Sequence, residues 1–229
     1  MKAMILAAGL GNRMRPLTLH TPKPLLQVAE KPLIVWHIEK LKKIGVTEII
    51  INTAWLADKL VDTLGDGSLL GVKILWSHEA EGLETAGGII NALPLLGDDP
   101  FILVNGDVWT TMDFASLLKV KLIDDLAHLV FVPNPVQHPQ GDFVLSNGKA
   151  YTFEQAQIGE ALTYSGVAVL SPKLFENLEH GKRPLAPLLK QAMLNGQVSA
   201  EKMQVVWVDV GTPERLNELD QHIKAGLYI

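Results

Sequence analysis

The chain has 229 residues, of which 48% are hydrophobic and 20% charged, with a formal net charge of −5; this suits an α/β chain with a sizeable core. It has no cysteine, which excludes disulfides and thiolate metal sites and fits a cytoplasmic protein. The lack of a basic block argues against a general nucleic-acid surface, and no stretch approaches the ~20 apolar residues of a membrane span.

In chain order, Met4–Ala8 is a continuous apolar run, the pattern of a central parallel strand covered on both faces. We expect Lys2 and the apolar residues after it to form a strand and its loop rather than a signal peptide, because the run is short and meets Asn12, Arg13 and Arg15 rather than a small-residue cleavage site. Helical spacing over 33–44 stops at Gly45. Strands are predicted over 48–52, 72–77 and 101–107, and helices over 57–65, 85–93 and 114–123. Strands alternating with helices predict βαβ units in a doubly wound, mixed and mostly parallel sheet.

The pattern changes near residue 127. HLVFVP reads as a strand, and 142–153 as a hairpin turning at Asn147-Gly148. A strand over 161–170, a helix over 185–194 and a strand over 204–211 follow, and Thr212 with Pro213 opens a last helix. No repeat or linker interrupts the chain. We therefore expect one domain over 1–229, with an α/β nucleotide-binding half to about 126 and a more β-rich second half from about 127.

Gly9 and Gly11 lie just past the first strand, where open α/β sheets bind ligands. Glycines let a backbone approach phosphate, and Arg13 and Arg15 offer charge-assisted donors. The same spacing also fits a tight turn with surface arginines. Two motifs are absent: Met14 stands where the dinucleotide fingerprint needs its third glycine, and no P-loop is present. Pro22 and Pro24 stiffen the backbone on either side of Lys23. Asp107 and Asp209 each close a predicted strand. They could meet over one Mg²⁺, which takes one or two carboxylates plus phosphates and water, or each could serve as a turn residue. The histidines show no metal-ligand spacing.

Leu6–Val28 resembles the signature of the sugar-1-phosphate nucleotidyltransferases, L-A-A-G-x-G-x-R-(M/L)-x-P-L-T followed by P-K-P-(L/M)-(L/V), at every fixed position. The resemblance implies the Rossmann-like nucleotide-diphospho-sugar transferase fold. It also implies a triphosphate held by Ala8, Gly9, Gly11, Asn12, Arg13 and Lys23, with Arg13, Lys23 and Asp107 in the chemistry. Asp107 and Asp209 match the family's magnesium aspartates, and Asn105 falls near the nucleotide. EAEGLETAGGI (79–89) resembles the nucleobase segment, with Gly87 matching and Glu79 where glutamine is common. A carboxylate there accepts but cannot donate, which suits uracil N3–H or guanine N1–H. Gly141, Glu154 and Gly166 match sugar-contacting positions, although Gln155 and Ala156 replace the lysine and proline of the family's E-K-P.

The implied reaction transfers the nucleotidyl group of a nucleoside triphosphate to a sugar 1-phosphate with Mg²⁺, releasing pyrophosphate and nucleotide sugar, without nucleic acid or membrane. No hexapeptide repeat follows the last helix, so no acetyltransferase arm is expected. Within the family, the compact form with PKPLLQVAEKPLI and HPQGDF resembles the uridylyltransferases that act on N-acetylmuramate α-1-phosphate in cell-wall recycling, and next the short mannose-1-phosphate guanylyltransferases. A non-catalytic sugar-nucleotide sensor is the alternative of another class; the retained Lys23, Asp107 and Asp209 argue for an enzyme.

Overall fold

A computed structural model describes residues 1–228. Its first half contains β1 (Ala3–Leu6), β2 (Gln27–Val28), β3 (Lys31–Pro32), α1 (Leu33–Lys43), β4 (Glu48–Thr53), α2 (Ala57–Leu64), β5 (Lys73–His78), α3 (Glu84–Leu96), β6 (Phe101–Asn105) and β7 (Val108–Thr110). The second half adds β8 (Ala127–Val132), β9 (Phe143–Ser146), β10 (Lys149–Tyr151), β11 (Glu160–Leu170), α4 (Ala186–Leu194), β12 (Val198–Lys202), β13 (Trp207–Asp209) and α5 (Pro213–Lys224).

Among the described residues one nine-stranded sheet runs through both halves in the order β5-β4-β1-β6-β11-β8-β12-β10-β9. The sheet is mixed as expected, but parallel pairing is confined to β5-β4-β1-β6 and to β8 with β12. "Mostly parallel" therefore describes the first half only. The long strand β11 runs antiparallel to β6, β8 and β9 and turns the second half into a hairpin-rich sheet.

Alternation along the strands explains the double winding. Met4, Ile50, Leu103 and Ala168 enter the core beneath α3 and α4 with Ile89, Leu189, Phe101 and Phe131. Ala3, Ile5, Ile49, Ile51, Val104 and Val169 point the other way, to Ile34, Ile38 and Leu41 of α1 and Leu60 of α2. Each fully buried Val, Leu, Ile, Phe or Met side chain among them stabilises the fold by roughly 1.5–3 kcal/mol. A third cluster, with Met14, Val28, Leu33, Trp109, Val210 and Leu219, ties the signature loop to β7 and α5.

Three expectations change. The helix predicted over 114–123 is a 3-10 helix, Phe114–Lys119, started by the Asp113 side chain accepting from the Ala115 N–H. Phe114 and Leu117 are buried and Val120 packs against the same cluster, and that spacing of three matches the 3-10 repeat. The strand predicted over 204–211 shrinks to β13, which pairs with β7 instead of joining the main sheet. The strand β12, in the weakly apolar segment VSAEK, was not expected; it docks parallel to β8. The hairpin is as expected, with Asn147 and Gly148 both at positive φ. Thr212 caps α5, accepting from the Arg215 N–H.

Candidate active site

Two cavities open beyond the carboxyl ends of the central strands, the position expected for ligands of an open α/β sheet. The first, about 380 Å³, is lined by Ala7, Ala8 and Gly9 after β1, Asn52 at the end of β4, Glu79 after β5, and Lys23, Asn105 and Asp107. The second, about 240 Å³, is lined by Gln137, His138 and Asp142 of the loop before β9, by Thr163–Gly166 of β11, and by Trp207 and Asp209. Asn105 and Asp107 line both, so the two compartments meet there.

Lys23 stands at that junction. It is 8% exposed, in a 3-10 turn closed by the Leu25 N–H donating to Pro22 O and the Leu26 N–H to Lys23 O. Its Nζ donates to Asp107 Oδ2 at 2.7 Å. The β7–β13 ladder sets Asp209 opposite Val108, and the Val210 N–H donates to the Asp107 carbonyl at 2.9 Å. The two aspartates, 102 residues apart in the chain, are thus brought together, Asp107 in the turn that leads into β7 and Asp209 at the end of β13. Asp209 Oδ2 accepts from Arg215 Nη1 at 2.7 Å. Among the described residues no three His, Cys, Asp or Glu could hold a metal by themselves. The donor set is two carboxylates, one in the turn before β7 and one at the end of β13, which fits a Mg²⁺ that completes its shell with phosphate and water.

At the far end of the first cavity, Asn52 links two loops. The Ala7 N–H donates to Asn52 Oδ1, and Asn52 Nδ2 donates to Glu79 Oε1, both at 2.7 Å. The Leu83 N–H holds Glu79 Oε2 at 3.0 Å. In the second cavity, His138 Nε2 lies 3.0 Å from Asp142 Oδ1, and Asp142 Oδ2 accepts from the Tyr164 N–H at 2.9 Å. Trp207 Nε1 donates to the Ser165 carbonyl at 2.8 Å. Gly166 sits at φ +77, where β11 shifts register, and a Cβ there would come within 2.7 Å of the Asn105 side chain. Glycine is what lets Asn105 stand between the two cavities.

The residues singled out from the sequence divide. Ala8, Gly9, Lys23, Glu79, Asn105, Asp107, Asp209 and Gly166 line the cavities. Gly11, Asn12 and Arg13 do not. Gly11 closes its own loop, its carbonyl accepting from the Thr18 hydroxyl at 2.8 Å, and Asn12 and Arg13 are exposed on the following 3-10 turn. Gly87 faces the 181–183 loop, whose Gly181 carbonyl occupies the space a Cβ would need. The amides of Ala86 and Gly87 donate to the Arg183 carbonyl rather than facing the cavity. Gly141 packs against the Leu162 carbonyl and Asn134. Glu154 is exposed and lies outside both cavities; its own backbone N–H, then the Thr152 hydroxyl, hold its carboxyl below the ordinary range.

Sequence reasoning missed Asn52, Lys182 and the 163–165 segment. The strand-end rule that picked Asp107 also applies to Asn52, which lies at the end of EIIINT. Lys182 had no local signal, because the 181–183 loop reaches the first cavity only by docking on α3.

Residues 2–143 match the Nucleotidyl transferase family, and the chain belongs to that family as a sugar-1-phosphate nucleotidyltransferase. It is 52% identical over 223 residues to the N-acetylmuramate alpha-1-phosphate uridylyltransferase of Neisseria meningitidis, covering 95% of this chain and 96% of that protein. It is 30% identical to mannose-1-phosphate guanyltransferase beta-A of Xenopus laevis, over 93% of this chain but only 62% of that longer protein. HddC from Yersinia pseudotuberculosis, solved in complex with GMP-PN, shares the fold with a TM-score of 0.77 at 24% identity, over 97% of this chain and 99% of that one. Among the described residues no helix is long and apolar enough to cross a membrane.

Proposed function

We propose that the protein transfers a uridylyl group from UTP to N-acetylmuramate α-1-phosphate, releasing pyrophosphate, in the cytoplasmic reuse of peptidoglycan sugars. The observation that carries this is the pair of cavities meeting at Asn105 and Asp107 with the Lys23 ammonium at the junction. The 52% identity to the Neisseria enzyme supports this substrate pair.

UTP lies in the first cavity with its base toward Glu79 and its phosphates over Ala8–Gly9; the sugar lies against Gly166 and Trp207 in the second. A sugar-phosphate oxygen forms a bond to the α-phosphorus as the bond from that phosphorus to the β-bridging oxygen breaks in line. The nucleophile is already anionic, so no side chain needs to take a proton. Catalysis is then positioning and charge neutralisation. Lys23 brings the two anions together and stays with the α-phosphate as negative charge shifts outward. Arg13, on the exposed turn after the glycine loop, meets the departing pyrophosphate. Asp107 and Asp209 would hold Mg²⁺, which supplies further neutralisation of phosphate charge when bound.

A mannose-1-phosphate guanylyltransferase is the second reading, because the Glu79 acceptor also suits guanine N1–H. Pyrophosphate release with Mg²⁺ decides: UTP, GTP, dTTP, CTP and ATP are each paired with N-acetylmuramate-, mannose-, glucose- and N-acetylglucosamine-1-phosphate. Turnover confined to UTP with N-acetylmuramate 1-phosphate is expected. Preference for GTP with mannose 1-phosphate would replace this reading, and silence across the panel from folded protein would favour a sugar-nucleotide sensor.

A further inference from the structure

We infer that Asn52 is a positioning residue for base selection: it fixes the Glu79 carboxylate as an acceptor at the base end of the first cavity, so that only a base presenting a ring N–H is taken. The inference rests on the nucleotidyl-transfer reading above and adds to it the residue that sets the selectivity.

Asn52 and Glu79 are 3% and 7% exposed, and both line the cavity. The orientation of the Asn52 amide is decided by the backbone. The Ala7 N–H points at it from 2.7 Å, so the atom facing Ala7 must be the oxygen, and the amide nitrogen must face Glu79. A flipped amide would oppose two donors on one side and two acceptors on the other. Glu79 Oε1 therefore receives the Asn52 N–H and Oε2 the Leu83 N–H. One lone pair on each oxygen is engaged, and whatever capacity remains toward the cavity can only accept. The helix α3 leaves room for this pair: a Cβ at Gly88 would come within 2.6 Å of Glu79 Oε1 and 2.8 Å of Asn52 Nδ2.

Position makes this the base end. Glu79 follows β5, and Asp107 follows β6, three strand spacings away in the order β5-β4-β1-β6, or about 14 Å. That span accommodates an extended nucleoside phosphate. Uracil N3 and guanine N1 carry a hydrogen and satisfy the acceptor. Cytosine N3 and adenine N1 carry a lone pair, and a buried acceptor facing an acceptor is left unpaired on both sides. Asn52 also binds the root of the glycine loop through Ala7, so the same side chain references the base to the phosphates.

The test is calorimetric binding of UTP and CTP with Mg²⁺ to wild type, Asn52→Asp and Gly88→Ala, with kcat/KM for both nucleotides where turnover is seen. Wild type is expected to prefer UTP by at least tenfold. Asn52→Asp puts an oxygen against Glu79 Oε1, and two carboxyl groups that close share a proton, so the UTP-over-CTP ratio is expected to fall at least fivefold. Gly88→Ala displaces the same pair without altering charge, should move the ratio in the same direction, and serves if Asn52→Asp does not fold. A purely structural role would lower both affinities together and leave the ratio unchanged. A ratio within twofold of wild type in a folded variant overturns the inference, as does a wild type that binds both nucleotides equally. Absence of transfer to every sugar phosphate, with the UTP preference and its loss in Asn52→Asp intact, would overturn the transfer reading and leave the role of Asn52 standing.

Discussion

The turn that carries Asp107 rests on a buried histidine, and acid should loosen it. His37 on α1 is 1% exposed, and its Nε2 lies 2.8 Å from the Val108 carbonyl, so Nε2 holds the hydrogen and donates. Burial, reinforced by Lys40, pushes its pKa from 6.5 down to about 4, against the opposing pull of the Val108 carbonyl and Asp107. The group is neutral when folded, and its pKa is lower folded than unfolded. Between pH 6.5 and about 4 the unfolded chain binds a proton at this position that the folded chain does not. Its contribution is therefore fully present above pH 6.5 and lost as the pH falls toward 4; the gap corresponds to about 3 kcal/mol. Urea unfolding midpoints measured from pH 7 to 4 on wild type and His37→Gln test this. The variant should start less stable, having a poorer fit to the Val108 carbonyl, yet lose about 3 kcal/mol less across the range. Carboxylates common to both proteins cancel in the difference. Equal losses in the two proteins would refute the argument and would mean that the imidazole is hydrated or already protonated in the folded state.

Lys23→Ala should fold normally and lose about 10²-fold or more in kcat, read by pyrophosphate release beside a thermal melt; near-normal turnover would remove Lys23 from the chemistry. Asp107→Asn and Asp209→Asn are each expected to abolish Mg²⁺-supported activity and to weaken Mn²⁺ binding measured by proton relaxation, and unchanged metal binding would return both residues to a turn role. Glu154→Ala is expected to leave the KM for sugar phosphate within twofold, because Glu154 lies outside the second cavity. A tenfold rise in that KM would mean that the loop after β10 folds over the bound sugar.

The sequence by itself determined the parts whose chemistry is local. Leu6–Thr18 and Pro22–Leu26 carried the family, because a backbone that approaches phosphate needs glycines and a lysine held there needs a stiff turn, and both are written in consecutive residues. Apolar runs within 4–8, 48–52 and 101–107 marked the central strands, since a strand covered on both faces has no polar alternation to offer. Strand ends then pointed to Asp107 and Asp209. What sequence could not settle depended on which segments pack together. Whether β13 joins the main sheet or pairs with β7 is decided by a cluster assembled from Met14, Trp109, Val210 and Leu219, and only that pairing sets the two aspartates side by side. Matching a motif implied ligand contacts for Gly87, Gly141 and Glu154; the fold adds what no motif shows, the docking of the 181–183 loop against Gly87 and of the Leu162 carbonyl and Asn134 against Gly141. Asn52 is invisible as a motif, because its meaning lies in the Ala7 amide on one side and the Glu79 carboxylate on the other. Both are brought to it by the lateral order of the strands, and hydrogen bonding between strands is long-range in sequence.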